Sequence, residues 1–366
     1  MTTPSYIIGI DLGTTNSVVA YTTAEVADGR QPAIDIFEIP QLVDAGVVEK
    51  RQMLPSFMLM PGRHEVSEQS MALPWQDDAP FAVGEFARHR GAELPDRLIA
   101  SSKSWLCHTM VDRSQPILPW KSDMDAGSKR SPVEASAAIL QHIRDAWNHT
   151  MAADDDALRM EHQEILLTVP ASFDAVAREL TVQAAETAGL SNITLLEEPQ
   201  AAFYAWIASQ DDQWRNQVAE GDLVLVCDVG GGTSDFSLIE ITQEEGQLVL
   251  ERIAVGDHLL VGGDNMDLAL AYSAAQQISS KGKPLDAWQM RGLWYSCSQA
   301  KEQLLAGTGV EEYPVTILGR GSSLIGGTLK AKLSRKAVQS VLGDGFFPEC
   351  DVTDAPAAAN RVGIQE

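Results

Sequence analysis

The chain has 366 residues, 45% of them hydrophobic, with 27 basic residues against 51 acidic ones and a formal net charge of −24. That length accommodates two cores of ordinary domain size. The charge argues against nucleic acid or an anionic membrane as the main partner, so any anionic ligand must be held by local donors and a metal ion. Met1-Thr2-Thr3-Pro4-Ser5 lacks the basic and apolar regions of a signal peptide, and no apolar run is long enough to span a bilayer, so the expected compartment is the cytoplasm.

From Ile8 to Ala20 an apolar run ends in Asp11, a Gly13-Thr14-Thr15 turn follows, and a second β-branched run leads away. This pattern predicts a hairpin with an exposed turn. Gly13 lets backbone N–H groups approach an anion, Thr14 and Thr15 add hydroxyl donors, and Asp11 can orient water around a divalent cation. An ordinary hairpin is the plainer alternative. Next, Ala33–Ile39 alternates as a strand, and Leu54–Met60 reads as another. Lys103 follows a basic, mostly helical segment and stands among small and apolar neighbours; it is either a surface lysine or one reaching a phosphate or an attacking water. Residues 121–130 read as a loop. Ser131, Pro132 and Glu134 then spell a helix start with a capping box, whose inner face carries His142 as a packed residue. Asp154-Asp155-Asp156 reads as a solvated turn.

Glu164–Val169 predicts a buried strand stopped by Pro170, Phe173–Ala188 a helix closed by Gly189, and Ile193–Leu196 a further strand. Glu197-Glu198-Pro199 opens an apolar helix. Glu198 there serves either the macrodipole or, at a strand-to-helix switch, the orientation of a water. The polar segment 210–222 marks the lobe boundary, giving lobe I as 1–210, lobe II as 211–347 and a loop-like tail at 348–366. Leu223–Ile239 repeats the opening order: apolar run, Asp228, a Gly230-Gly231-Gly232-Thr233 turn, second apolar run. A repeat of this kind implies a duplicated domain with two phosphate-gripping turns facing each other across a cleft. Gly256 and Gly262-Gly263-Asp264 read as turn or nucleotide-approach positions, Asp267–Gln277 as a helix, and Asp286–Leu305 as a long helix. One stripe of that helix is apolar; a second holds Ser298, Lys301 and Leu305 and reads as a solvated face. Cys107, Cys227, Cys297 and Cys350 form no C-x-x-C pair, and most are expected to be buried small hydrophobes.

Taken together, Ile8–Ser17, Thr168–Phe173 with Arg178, Glu198–Ala202, Asp228–Asp235 and Gly262–Asp267 resemble the nucleotide-binding domain of the seventy-kilodalton heat-shock chaperones, the DnaK-type family. The resemblance implies an α/β fold, the duplicated two-lobed ATPase fold of actin and ribonuclease H, with ATP or ADP and Mg²⁺ as cofactors. It implies that Asp11 and Asp228 order the water shell of Mg²⁺ and that Thr14, Thr15, Gly231, Gly232 and Thr233 bind phosphate. Gly13, Asn16, Gly230, Gly262, Gly263 and Asp264 complete the nucleotide contacts, and Thr233 also joins the catalytic set. Lys103 would place the attacking water and Glu198 polarise it, while Pro170 and Arg178 resemble elements that relay nucleotide state. On the adenine-contacting helix Lys301 matches, but the family's usual glutamate is Ser298 and its usual serine is Leu305. The match also stops before the family's closing strands and last Gly-Gly motif, so the second lobe is expected to be incomplete, nucleotide binding weak and the chain prone to associate. Client polypeptides and co-chaperones would be engaged by regions beyond this chain, with neither nucleic acid nor membrane as partner. The competing expectations are a sugar- or acetate-kinase-like phosphotransferase of the same superfold and a non-hydrolysing nucleotide sensor or actin-like protein.

Overall fold

The computed structural model describes residues 3–25, 33–62, 64–244, 247–257, 259–279, 284–318 and 328–354. The opening repeat forms as expected: β1 (Tyr6–Leu12) and β2 (Asn16–Thr23) are an antiparallel pair in which Asp11 stands opposite Val18. Beyond them come β3 (Asp35–Ile36), β4 (Ile39–Asp44), β5 (Val47–Arg51), β6 (Leu54–Pro55), β7 (Met58–Leu59), β8 (Ala82–Val83), helix α1 (Glu85–Glu93), β9 (Leu98–Ile99) and α2 (Ser102–Leu106). The single strands expected over Ala33–Ile39 and Leu54–Met60 are therefore each interrupted. In the first, Phe37 donates its N–H back to Val19 and Ile39 starts a new pairing with Arg51. In the second, Ser56 leaves its strand to donate to Thr15 O and, through Oγ, to Gly13 O at 2.7 Å. The second strand is thus broken to support the first phosphate turn.

Helix α3 (Pro132–Met151) starts with the full Ser131–Glu134 capping box, and His142 is packed inside, its Nε2 3.0 Å from Pro40 O. Burial pushes the His142 imidazole down to about 4, which keeps it neutral. Next follow β10 (Glu164–Val169), α4 (Ala175–Thr187), β11 (Ile193–Glu197) and α5 (Glu198–Ser209). Helix α4 begins two residues later than the spacing suggested because Asp174, not Phe173, caps it by accepting from the Ala177 N–H at 2.6 Å. The strand order β11-β10-β1-β2-β3, with β10 and β11 parallel to β1, places Ile8, Ile10 and Leu12 under α3 and α4 in one core with Trp147, Ile165, Ala184 and Ala185.

The second repeat forms β12 (Leu223–Val229) and β13 (Ser234–Glu244), joined by β14 (Gln247–Val255). Then come α6 (Gly263–Ser279), α7 (Ala287–Leu305), β15 (Glu312–Leu318) and β16 (Thr328–Ser334). Gly263 is not in a turn: it opens α6, which starts four residues before the predicted Asp267. Asp286 caps α7 through a box with Gln289. The segment before β12 is a 3-10 turn (Asp211–Asn216), and Phe203 of α5 packs with Ile239 and Ile241, so this helix shares the core of the second sheet. Leu293, Cys297 and Leu304 are buried against α6 and the β15–β16 pair. Residues 348–354 lack regular structure; the rest of the predicted tail, 355–366, lies outside the described residues.

The two repeats differ in burial. Ile8, Ile10 and Leu12 are 0%, 1% and 2% exposed, but their counterparts Leu225 and Val229 are 61% and 46% exposed and Cys227 is exposed as well. The cause is topological. Strand β1 lies between β2 and β10, whereas β12 is the edge of the order β12-β13-β14 among the described residues. The expectation of mostly buried cysteines fails for the same reason at Cys227; Cys350 is exposed in the tail, Cys107 is half-buried and only Cys297 is fully enclosed. An apolar, unpaired edge strand is a template for another chain. Sedimentation velocity should therefore show concentration-dependent association between about 1 and 100 µM, strengthened by salt that screens the net charge. Leu225→Lys should move the species towards monomer, and a mass unchanged across that range would contradict the expectation.

Candidate functional site

The two Gly/Thr turns meet. A Cβ on Gly231 would collide with the Thr15 hydroxyl, and one on Gly232 would stand 2.8 Å from Thr14 Cγ2 and run into Ser104 Oγ. Only glycine therefore allows this approach. The Asp264 N–H donates to Gly231 O at 2.7 Å and the Gly263 N–H to Gly230 O at 3.0 Å, so the first turn of α6 clasps the second loop. Asn265 Oδ1 accepts from the Gly262 N–H at 3.0 Å. Gly13 is fixed by its own turn, where a Cβ would strike Asn16 O.

Beneath the turns lies a charged cluster. Lys103 is buried on α2, and its Nζ is in direct contact with Glu198 Oε1, from the first residue of α5. Glu198 also shares a hydrogen bond with Asp228 at the end of β12. Asp11, at the matching position of β1, accepts from Thr168 Oγ1 at 2.8 Å and adds its negative charge to both. Burial, opposed by Lys103 and reinforced by Asp11 and Asp228, raises the Glu198 carboxyl above its ordinary value. Burial raises Asp228 likewise, against Lys103 and with Asp235 and Asp11 reinforcing. Asp235 is held in turn by the Ser172 hydroxyl. Near the lower rim Arg178 pairs with Glu197 at 2.9 Å, and Arg252 of β14 reaches the same carboxylate, tying β11 to the second sheet.

Comparison with known sequences bears on this arrangement. The family model described as "Hsp70 protein" matches residues 77–346. The chain belongs to the Hsp70 family. Among its curated relatives, the chaperone protein HscA homolog of Pseudomonas paraeruginosa is 32% identical over 314 residues, covering 83% of this chain and 42% of the relative. That of Haemophilus influenzae is 31% identical over 300 residues, with 80% and 41% covered. That of Acinetobacter baylyi is 30% identical over 306 residues, with 81% and 42% covered. The chain thus spans about two fifths of the length of these relatives. The fold is that of the Hsp70 ATPase domain, the actin-like architecture, with the second-lobe sheet limited to three strands among the described residues. No helix among those residues is long and apolar enough to cross a membrane.

Of the residues picked from the Hsp70 pattern, Asp11, Gly13, Thr14, Thr15, Asn16, Lys103, Glu198, Asp228, Gly230, Gly231, Gly232 and Thr233 come together at the meeting point of the turns, flanked by Gly262, Gly263 and Asp264. Lys103 is not a surface lysine, and Glu198 does more than face a helix dipole. On α7 the outcome differs. Lys301 Nζ lies 2.8 Å from Asp267 Oδ1 and donates to Gly263 O at 3.1 Å, so the stripe read as solvated is half enclosed, while Leu305 is 47% exposed with no polar partner to offer. The sequence reading gave no role to Ser101, Ser104, Ser172 or Asp267, although Ser172 and Asp267 lie inside the matched segments. Ser101 and Ser104 flank Lys103 in a run of small residues, which was the available signal.

The site fits a magnesium nucleotide on its own chemistry. Thr15 Oγ1 and Ser104 Oγ are buried without a hydrogen-bond partner where the loops meet. Asp11, Glu198 and Asp228 set three carboxylates against one amine, an excess of negative charge suited to a divalent cation. No three acidic, histidine or cysteine side chains among the described residues converge to hold an ion directly, so contact through water and phosphate oxygens is the fitting mode.

A second link crosses the cleft: Ser101, in the left-handed region at φ 55°, donates to Asp264 Oδ2 at 2.6 Å. Burial lifts the Asp264 carboxyl to about 6. A folded-state value above the unfolded one means that the folded protein holds the proton more tightly, so stability falls as pH rises from about 4 to about 6 and is level above. Asp264→Asn, which keeps an acceptor for Ser101, should therefore raise stability at pH 7.5 by on the order of 1–3 kcal/mol and flatten this part of the pH profile. Urea midpoints measured from pH 5 to 8 test it; an unchanged profile would refute it.

Proposed function

We propose that this chain is the ATP-binding and ATP-hydrolysing module of an Hsp70-type chaperone, working in a cytoplasmic setting. The observation that carries the reading is the burial of Lys103 against Glu198, with Asp228 and the exposed Asp11 adding their charge, next to two Gly/Thr loops that touch. In this reading Thr14, Thr15, Gly231, Gly232 and Thr233 hold the β- and γ-phosphates through backbone N–H groups and hydroxyls. Asp11 and Asp228 order the water shell of Mg²⁺, which when bound neutralises charge on the transferring phosphoryl group. Lys103 positions the attacking water, and Glu198, with its raised carboxyl, polarises it. Little covalent chemistry is asked of the protein: alignment and charge stabilisation supply the acceleration. Because the loops belong to different lobes, nucleotide state sets how tightly the lobes close, and the Arg178–Glu197–Arg252 bridge carries that closure towards the rim. A peptide-binding partner region would read it and so control client polypeptides, with co-chaperones acting on the cycle.

The test is phosphate release from MgATP in water alone, with Lys103→Met as reference. Slow release that the variant loses supports the proposal. Release only after a small hydroxyl or carboxylate acceptor is added would favour a kinase, and nucleotide binding without any hydrolysis by the wild-type chain would favour a sensor.

A further inference from the structure

The first Gly/Thr loop is held from behind by a residue that lies outside it. Pro55-Ser56-Phe57 closes a three-residue turn in which the Phe57 N–H donates to Pro55 O at 2.8 Å. That turn is fastened on both sides. Pro55 pairs with Asn16, and the buried Gln41 donates from Nε2 to Met53 O at 2.8 Å. Beyond the turn, the Gly84 N–H donates to Phe57 O at 3.1 Å. Ser56, at its centre, is only 2% exposed.

Both donors of Ser56 are spent on the loop. Its N–H goes to Thr15 O at 2.8 Å and its hydroxyl to Gly13 O at 2.7 Å. A hydroxyl has one proton to give, so in the 3.0 Å contact with the buried Ser17 Oγ it is Ser17 that donates and Ser56 that accepts, which fixes the Ser56 rotamer. In a planar trans peptide the C=O and N–H point in opposite directions. Drawing the carbonyls of Gly13 and Thr15 towards Ser56 therefore turns the N–H groups of Thr14 and Asn16, which share those two peptide planes, the other way. Thr15, between them in the chain, has its hydroxyl buried without a hydrogen-bond partner. If either peptide rotated, a carbonyl oxygen would replace an N–H on that side and repel an anion.

We infer that Ser56 is the positioning residue of the first phosphate loop: by holding two carbonyls back, it keeps the Thr14 and Asn16 N–H groups set for an anion before the ligand arrives. The inference rests on the phosphate-clamp reading proposed above. Donors that are already in place bind without the cost of ordering the loop, so the Ser56 hydroxyl contributes to affinity although it touches no ligand.

Calorimetric titration of the full chain and three variants with MgADP tests it, with urea midpoints measured alongside. Ser56→Ala should weaken MgADP about three- to tenfold, the worth of one buried hydrogen bond. Ser56→Cys, which keeps a weaker donor, should fall between Ser56→Ala and the wild type. Thr181→Val removes another buried hydroxyl of the same lobe, one that donates to Ala177 O at 2.8 Å within α4. It should lower the urea midpoint and leave MgADP affinity within about twofold of the wild type. Wild-type affinity in Ser56→Ala would overturn the positioning role and leave the clamp standing. So would an equal loss of affinity in Thr181→Val, which would make affinity follow stability alone, or a Ser56→Cys no tighter than Ser56→Ala. If Ser56→Ala does not fold, Ser56→Cys takes its place, and wild-type affinity there would overturn the role. No MgADP binding by the wild-type chain would overturn the clamp itself and the inference with it.

Discussion

Lys103→Met should lower stability at pH 7.5 by about 3 kcal/mol, and the loss should shrink as the pH falls to 5. In the wild type the Lys103 ammonium holds the buried Glu198 carboxyl down, against burial, Asp11 and Asp228, which all push it up. Removing it raises Glu198 further. A carboxyl whose folded value lies above its unfolded one destabilises the fold progressively as pH rises from the unfolded value towards the folded one, so the penalty is smaller in acid and grows with pH. In acid, Glu198 carries a proton and can donate to Asp228, its hydrogen-bond partner. Adding Glu198→Gln to Lys103→Met removes the stranded charge and should restore most of the loss, giving a large coupling in a double-mutant cycle. Chemical denaturation of the four proteins at pH 5 and 7.5 measures this. Equal losses at both pH values would show that the pair contributes packing and not charge. Hydrolysis should fall on the order of 10²–10³-fold in Lys103→Met, while magnesium nucleotide affinity changes only a few-fold, because the phosphate contacts lie on the loops.

Much of this site was readable before any coordinates because its parts are local. The hairpins at Asp11 and Asp228 are each specified by about a dozen consecutive residues, and the Ser131 capping box by four. What the sequence could not display is pairing at a distance. Lys103 and Glu198 are 95 positions apart, Ser101 and Asp264 163, and Arg88 and Glu302, which bridge α1 and α7 at 3.3 Å, 214. Lys301 illustrates the limit in the other direction. Its spacing on α7 marked it correctly as separate from the apolar stripe, but whether its amine faces ligand, solvent or Asp267 depends on where α6 passes. Strand interruptions were hidden for the same reason: Ser56 breaks its strand to hold Thr15 and Gly13, the latter 43 positions earlier. The exposure of Leu225, Cys227 and Val229 follows from the place of β12 at the edge of its sheet among the described residues, and no feature of β12 itself records what lies beside it. The register of side chains was legible; their surroundings were not.

Gly262→Ala and Gly231→Ala should separate the two ways in which the loops are held. A Cβ on Gly262 would stand 2.7 Å from the carbonyl oxygens of both Gly230 and Gly231 and 2.8 Å from the Gly231 carbonyl carbon. These are backbone atoms with no rotamer to relieve the collision, so α6 must withdraw from the second loop. That withdrawal weakens the Gly263→Gly230 and Asp264→Gly231 hydrogen bonds together. The expected cost is about 2–3 kcal/mol of stability, with nucleotide affinity falling about 100-fold because the loop that carries Thr233 loses its support. In Gly231→Ala the obstacles are the Thr15 hydroxyl, which can rotate, and Thr15 Cβ at 2.9 Å, which cannot, and both belong to the other lobe. The lobes can separate slightly without disturbing either core, so stability should change by less than about 1 kcal/mol while affinity still falls steeply through loss of the paired grip. Gly127→Ala, where an added Cβ meets nothing within 4 Å, serves as the control and should change neither quantity. Equal stability losses at Gly262 and Gly231 would mean that the loops are one rigid unit; a stability loss confined to Gly262 with affinity reduced at both would mean that lobe closure is a separable step, which is what a nucleotide-driven clamp requires.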